Sequence, residues 1–299
     1  MKSSRGVGPP CESDTLQAMS ETPHTPPRAF QWLLAPLDII GGQTLGLLDH
    51  VGSTVRLFLH AAHWVYRGLS ERRVRLGLPA IVTQIVRVGV RSIFIVSLVS
   101  GCVGLILAFQ LAPPLDEFGQ RDKVANIISV AVLRELGPLI GAVVLTGFAG
   151  ASIAAEVGTM VVSEEVEALE AHALNPVRFL VVPRMIAGIV SMTALSVISG
   201  VVAIVASLFI SVTALEIPYA TYVENTLQQA KLVDFWTGVG KSVVFGMLIG
   251  IIACNNGLKV VGGAAGVGRA TTGTVVQCVV SIVIADLIFT AIFYALGLV

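Results

Sequence analysis

The chain has 299 residues, 55% of them hydrophobic and 13% charged, with a mean hydropathy of +0.85. Soluble domains carry about 25% charged residues, so the composition argues against a soluble enzyme and for a bilayer protein. A formal net charge of +0 offers no basic surface for nucleic acid.

Residues 1–28 are polar and rich in proline, with no apolar core behind a basic start, so they read as a disordered extension and not as a secretory signal. Glu12, Asp14 and Glu21 also make a cleaved organelle-targeting segment the poorer alternative. Residues 29–77 mix apolar and basic positions, and Trp32, Trp64 and Tyr66 suit the headgroup level. That region fits interfacial or re-entrant helices better than a span.

Five apolar segments follow, at about 92–111, 127–154, 179–212, 236–254 and 274–298. About 20 residues are needed to cross the hydrocarbon, and each segment comes near or passes that length. The fold class is therefore an all-α integral membrane protein of about five transmembrane helices, preceded by interfacial or re-entrant helices. Arg67, Arg72, Arg73, Arg75, Arg87 and Arg91 precede the first span. Arg178 and Arg184 flank the loop between spans 2 and 3, and Lys259 and Arg269 lie between spans 4 and 5. The positive-inside rule places the N-terminus and these two loops in the cytoplasm.

Within span 2, Arg134-Glu135 precedes Pro138. Ionisable groups at membrane depth face a cavity or a partner, and neighbours in sequence do not share a helix face, so the two are expected to meet groups on other helices. The alternative is that both snorkel to the outer headgroups. Lys241 in span 4 and Asp286 in span 5 raise the same question. Arg134, Glu135 and Lys241 lie at similar depth and suggest a polar site for a charged headgroup. Gly137/Gly141 and Gly246/Gly250 have the spacing of close helix packing, within one subunit or at a dimer face.

The loop between spans 2 and 3 reads as a cytoplasmic coupling helix. Val162, Val166 and Leu169 fall on one helical face. Glu164, Glu165 and Glu167 occupy its first turns, Ser163 is placed to cap it, and Asn175-Pro176 to end it. Such a helix fits a groove on a cytoplasmic partner, or it is a solvated loop helix with none.

The stretch 262–272 is a Gly-rich cytoplasmic loop containing Gly263, Gly266, Gly268 and Arg269. It lacks the Lys of a phosphate-binding loop. The four cysteines, Cys11, Cys102, Cys254 and Cys278, form no CxxC and read as small packing residues. The five histidines show no metal-ligand spacing, and no nucleophile with its base appears. Catalysis by this chain alone is not expected.

Three stretches resemble the MlaE/YrbE family of ABC-transporter permeases. They are Arg134-Glu135-Leu136-Gly137-Pro138; Ala155-Glu156-Val157-Gly158-Thr159-Met160 through Asn175-Pro176 and Pro183-Arg184; and Gly262-Gly263-Ala264 through Thr272. The resemblance covers the chain from about Val74 and makes 78–299 the permease domain. It implies a homodimer that moves phospholipid or a related lipid between the inner membrane and the outer membrane. An ABC ATPase subunit holding ATP and Mg drives it, with no cofactor in this chain. An MCE-domain periplasmic protein and, often, a small STAS-domain subunit complete the assembly. The family's coupling helix maps onto Ser163, Glu164, Glu165, Val166, Glu167, Ala168, Leu169 and Glu170. Its lipid-cavity charges map onto Arg134, Glu135 and Lys241. The implied location is the bacterial inner (cytoplasmic) membrane, with the plastid inner envelope second. Phe148, Val161 and Ala173 depart from the family pattern, the first two where positive charge is usual. Two rivals from other classes are an ion-coupled transporter using Glu135, Lys241 and Asp286 as a relay, and a non-transporting membrane scaffold.

Overall fold

The computed structural model describes residues 28–70 and 78–297, and among these the backbone is helical apart from short turns. Hydrocarbon offers no partner to a bare peptide group, so a spanning segment must close its hydrogen bonds within itself. Of the extension expected to be disordered (residues 1–28), residues 1–27 lie outside the described residues, as do Cys11 and the Arg72, Arg73 and Arg75 cluster, while Arg28 already begins a helix.

The chain forms two compact units, 1–52 and 53–299. In the first, the described backbone is helical from Arg28. Where several interfacial helices were expected, a single helix, α1 (Arg28–Ser70), is found, and its residues from Ser53 onward belong to the second unit.

Among the described residues, the second unit carries five helical stretches long and apolar enough to cross a membrane. The first contains α2 (Leu78–Val88) and α3 (Ile93–Glu117). The second is built from α4 (Val124–Ala131), α5 (Gly137–Leu145) and α6 (Ala151–Val162), joined by two turns widened to π geometry, Val132–Leu136 and Thr146–Gly150. The short α7 (Glu165–Ala171) then leads to α8 (Val182–Thr213) through a third widened turn, Val177–Val181. A helix not anticipated from sequence, α9 (Tyr219–Gln229), precedes α10 (Leu232–Leu258), and α11 (Gly263–Ala295) is last.

Each stretch runs past the expected apolar window at one end or both. Arg87 and Arg91 end the window of span 1, but the backbone stays helical because a charged side chain interrupts hydropathy without interrupting hydrogen bonding. The Gly-rich stretch is likewise not a loop. After a reversal at Gly262 and Gly263, with φ of +90° and +65°, Gly266, Gly268 and Arg269 lie on the first turns of α11.

Span 4 is central, with 67% of its apolar window buried, and span 5 is peripheral, with 11%. Spans 3 and 4 meet glycine to glycine. A Cβ on Gly246 would sit 2.5 Å from the Gly188 carbonyl oxygen, and one on Gly188 would sit 2.8 Å from that of Gly246. Gly141 and Gly250 also face span 3, against Met192 and Met185. The small-residue pairs thus serve packing within one subunit.

Two apolar cores result. One, toward the α7 end, includes Leu145, Met192, Phe245 and Ile249. The other, toward the α9 end, includes Ile128, Val132, Ala203 and Tyr222. The buried Tyr222 hydroxyl shares a 2.7 Å hydrogen bond with Ser207, and burial raises its pKa above the ordinary tyrosine value.

Candidate functional site

Arg134 and Glu135 sit on the first widened turn of span 2. Such a turn admits one extra residue per hydrogen-bonded ring and so re-aims its side chains. Gly238 of α10 presses against this turn, where any Cβ would overlap the Leu133 carbonyl oxygen. The two charged side chains point to different neighbours, each on another span, as expected. Arg134 donates from Nε and Nη2 to Asp234 Oδ1 at 3.1 and 2.5 Å. The other carboxylate oxygen of Asp234 accepts the Lys231 backbone N–H at 3.2 Å, which fixes the start of α10.

Glu135 meets Lys241. The Lys241 ammonium, with no exposed side-chain surface, donates to Glu135 Oε2 at 2.5 Å, Asp286 Oδ1 at 2.9 Å and Thr290 Oγ1 at 3.0 Å. Thr290 in turn donates to Glu135 Oε1 at 3.1 Å. The Phe293 ring centroid lies 5.9 Å from the ammonium. One cation thus has all three of its donors used, across spans 2, 4 and 5. Lys241 is nine residues into α10, or roughly 14 Å along its axis, and Asp286 lies nine residues from the other end of α11. Both groups thus lie within apolar, membrane-length helices and away from their ends. Beside it, Leu232, Val233, Trp236, Thr237, Gly240, Val244, Phe289 and Phe293 line an open groove of about 530 Å³.

Nothing in the sequence marks Asp234 as part of the site. An acidic residue in the first turn of a helix reads as an ordinary dipole partner, and only its geometry shows it holding Arg134. Asp286 stands out as a charge within an apolar run, whereas Thr290 carries no such signal.

A second ion cluster ties spans 1, 2 and 3 together toward α7. Glu156 pairs with Arg87, and it accepts from Arg184 Nη2 at 3.4 Å. The buried Arg184 also donates to the Leu180 carbonyl at 2.9 Å. The sequence signal for Glu156 is an ionisable residue just past the apolar run of span 2, in the Ala155–Met160 stretch. Nearby, Arg178 stacks between Trp64 and Phe179, 5.5 Å from each centroid.

The α7 region departs in detail from expectation. Ser163 does not cap it. Its hydroxyl bonds back to the Thr159 carbonyl at 2.9 Å, and Glu164 enters the helix with a left-handed φ of +60°. Val162 closes α6 on the far side of that reversal, so only Val166 and Leu169 are half-buried on α7, while Glu164, Glu165, Glu167, Ala168 and Glu170 are exposed. The helix ends at Ala173, φ +57°, before Asn175 is reached. The Leu174 and Ala173 N–H groups return to the Leu169 and Glu170 carbonyls, both at 2.9 Å, a Schellman closure with alanine where glycine is usual. Asn175 opens the next span instead: its Oδ1 accepts the Val177 N–H at 3.0 Å, with Pro176 at the start. Phe148 is exposed on the second widened turn.

A bundle of five crossing helices, charged groups paired at membrane depth and an acidic helix exposed on a loop define a multi-pass membrane transport protein. A family model described as Permease MlaE matches residues 81–292, and the chain belongs to that family. It is 34% identical over 219 residues to a Rickettsia typhi protein named "Probable ABC transporter permease protein", covering 73% of this chain and 85% of that one. A Synechocystis protein of the same description is 34% identical over 233 residues, 78% and 85% of the two chains. Arabidopsis thaliana protein trigalactosyldiacylglycerol 1, chloroplastic, is 31% identical over 211 residues, 71% of this chain and 60% of the relative. The chain is a permease subunit of an ABC transporter, and ATP hydrolysis belongs to a partner ATPase.

Proposed function

We propose that this permease moves phospholipid, or a related lipid, through a site formed by Glu135, Lys241, Asp286 and Thr290 together with the adjoining groove. The observation that carries the reading is the juxtaposition of a polar cluster at membrane depth with an open apolar groove walled by Trp236, Phe289 and Phe293. An amphiphile needs both, one for its head and one for its tails. The chloroplastic relative carries a galactolipid in its name, which is in keeping with a lipid substrate.

In this reading the partner ATPase docks on α7, whose exposed Glu164, Glu165, Glu167 and Glu170 present negative charge. Movement of α7 passes to spans 1, 2 and 3 through Glu156, Arg87 and Arg184, and to the headgroup cluster through span 2 itself. Two copies of the chain enclose the lipid path. An MCE-domain protein on the far side receives or delivers the lipid, and a small STAS-domain subunit sits on the ATPase. The membrane is the bacterial inner membrane. The test is transfer of labelled phospholipid by vesicles holding the chain and its ATPase: transfer that depends on ATP supports the reading, and its absence in an assembled complex defeats it.

One observation favours a second reading. Glu135, Lys241 and Asp286, the three groups of an ion relay, are in direct hydrogen-bonded contact. Transfer driven by a proton gradient without ATP would support that alternative.

A further inference from the structure

We infer that the site prefers phospholipids whose headgroup carries an ammonium over those that are purely anionic. The inference rests on the lipid-carrying role proposed above and names the headgroup. Among the described residues, two cations, Arg134 and Lys241, face three carboxylates, Glu135, Asp234 and Asp286, an excess of one negative group. Accessibility sharpens the imbalance. Lys241 has 0% of its side chain exposed, and Asp234, which neutralises Arg134 at 2.5 Å, has 3%. The most exposed ionisable group of the cluster is Glu135 at 30%, and Asp286 is at 17%. A headgroup entering here meets carboxylate first, while the one central ammonium lies beneath with its three donors occupied.

The groove supports the same choice. Trp236 is 61% exposed on its wall, beside Phe289 and Phe293, whose ring already lies 5.9 Å from one ammonium. Aromatic faces attract a second ammonium and give nothing to a phosphate alone. A phospholipid with an ethanolamine head can set its ammonium against Glu135 and Asp286 with its tails along the groove. A glycerol head can offer hydroxyl donors to these carboxylates but no cation, so its phosphate adds negative charge to an already negative site.

The experiment equilibrates the full-length chain with vesicles of equal phosphatidylethanolamine and phosphatidylglycerol, matched in acyl chains. Lipid retained after purification is then identified by mass spectrometry. Phosphatidylethanolamine should be enriched by about tenfold, the ratio that 1.4 kcal/mol of charge selectivity gives. Asp286→Asn should bring the ratio toward one. A retained pool that mirrors the vesicle, or favours phosphatidylglycerol, overturns the inference and leaves the lipid role standing; folded protein that retains no phospholipid defeats both. A ligand-side control needs no variant: N-acetyl-phosphatidylethanolamine, which keeps the phosphate and loses the ammonium, should be retained at the phosphatidylglycerol level. Retention equal to the parent lipid overturns the inference.

Discussion

The charges around Lys241 and those on α7 are handled in opposite ways. At membrane depth, every charged group of the cluster has a partner on another span, and Lys241 has three. On α7, Glu165 receives only the Ser163 hydroxyl, at 3.2 Å, and Glu167 and Glu170 make no ion pair among the described residues. Water can solvate the second set and not the first. The buried charges therefore depend on one another, so that removing one alone is costly, whereas the exposed ones add almost nothing to stability and remain available to another protein. Mutations should separate the two regions into a stability class and an assembly class.

Lys241→Met should give the largest effect. It leaves Glu135 and Asp286 facing each other without a cation, and removing one partner of a buried pair costs about 3–5 kcal/mol. The melting temperature in detergent should fall sharply. The triple variant Glu135→Gln/Lys241→Met/Asp286→Asn, with no charge to compensate, should recover most of it. A Lys241→Met melting curve matching wild type would erase the contrast.

Glu165→Lys/Glu167→Lys should do the reverse. Exposed substitutions stay within about 0.5 kcal/mol, so melting should not move. Recovery of the partner ATPase in a pull-down should drop by about tenfold, a 1.4 kcal/mol loss of binding. Normal recovery would return α7 to the status of a solvated loop.

Smaller effects sharpen the picture. Tyr222→Phe removes the buried bond to Ser207 and should cost about 1 kcal/mol, read as a modest melting shift with ATPase binding intact. Ala173→Gly should stabilise the chain by up to about 1 kcal/mol, because a left-handed residue costs alanine roughly that and glycine little. A loss of stability there would mean that Ala173 contributes contacts that outweigh its backbone conformation.

Much of the bundle was legible in the sequence because hydrocarbon imposes one rule on the backbone, and long apolar runs obey it. Span ends were less legible: Arg87 and Arg91 interrupt hydropathy but not helix. Gly263 to Arg269 reads as a breaker in water, although glycine is common in membrane helices, and the stretch is helical. The mixed composition of α9 hides it, since its order comes from Tyr222 entering a core made by other helices. Arg134, Glu135 and Lys241 stood out as costly charges in apolar runs. Their pairing did not, because it depends on a widened turn at Val132–Leu136 and on Asp234, whose position at a helix start disguised it. At α7 the composition was readable, but the reversals at Glu164 and Ala173 were not, since both place non-glycine residues at positive φ.

In the proposed mechanism, a partner ATPase acting on α7 drives lipid through the site at Lys241. The most direct test is transfer of a labelled phospholipid by vesicles containing the chain and its ATPase, wild type beside Glu165→Lys/Glu167→Lys. Wild type should transfer lipid only with ATP, and the variant, whose bundle melts normally, should transfer none. Transfer that persists in the variant, or that proceeds in wild type without ATP, would contradict it.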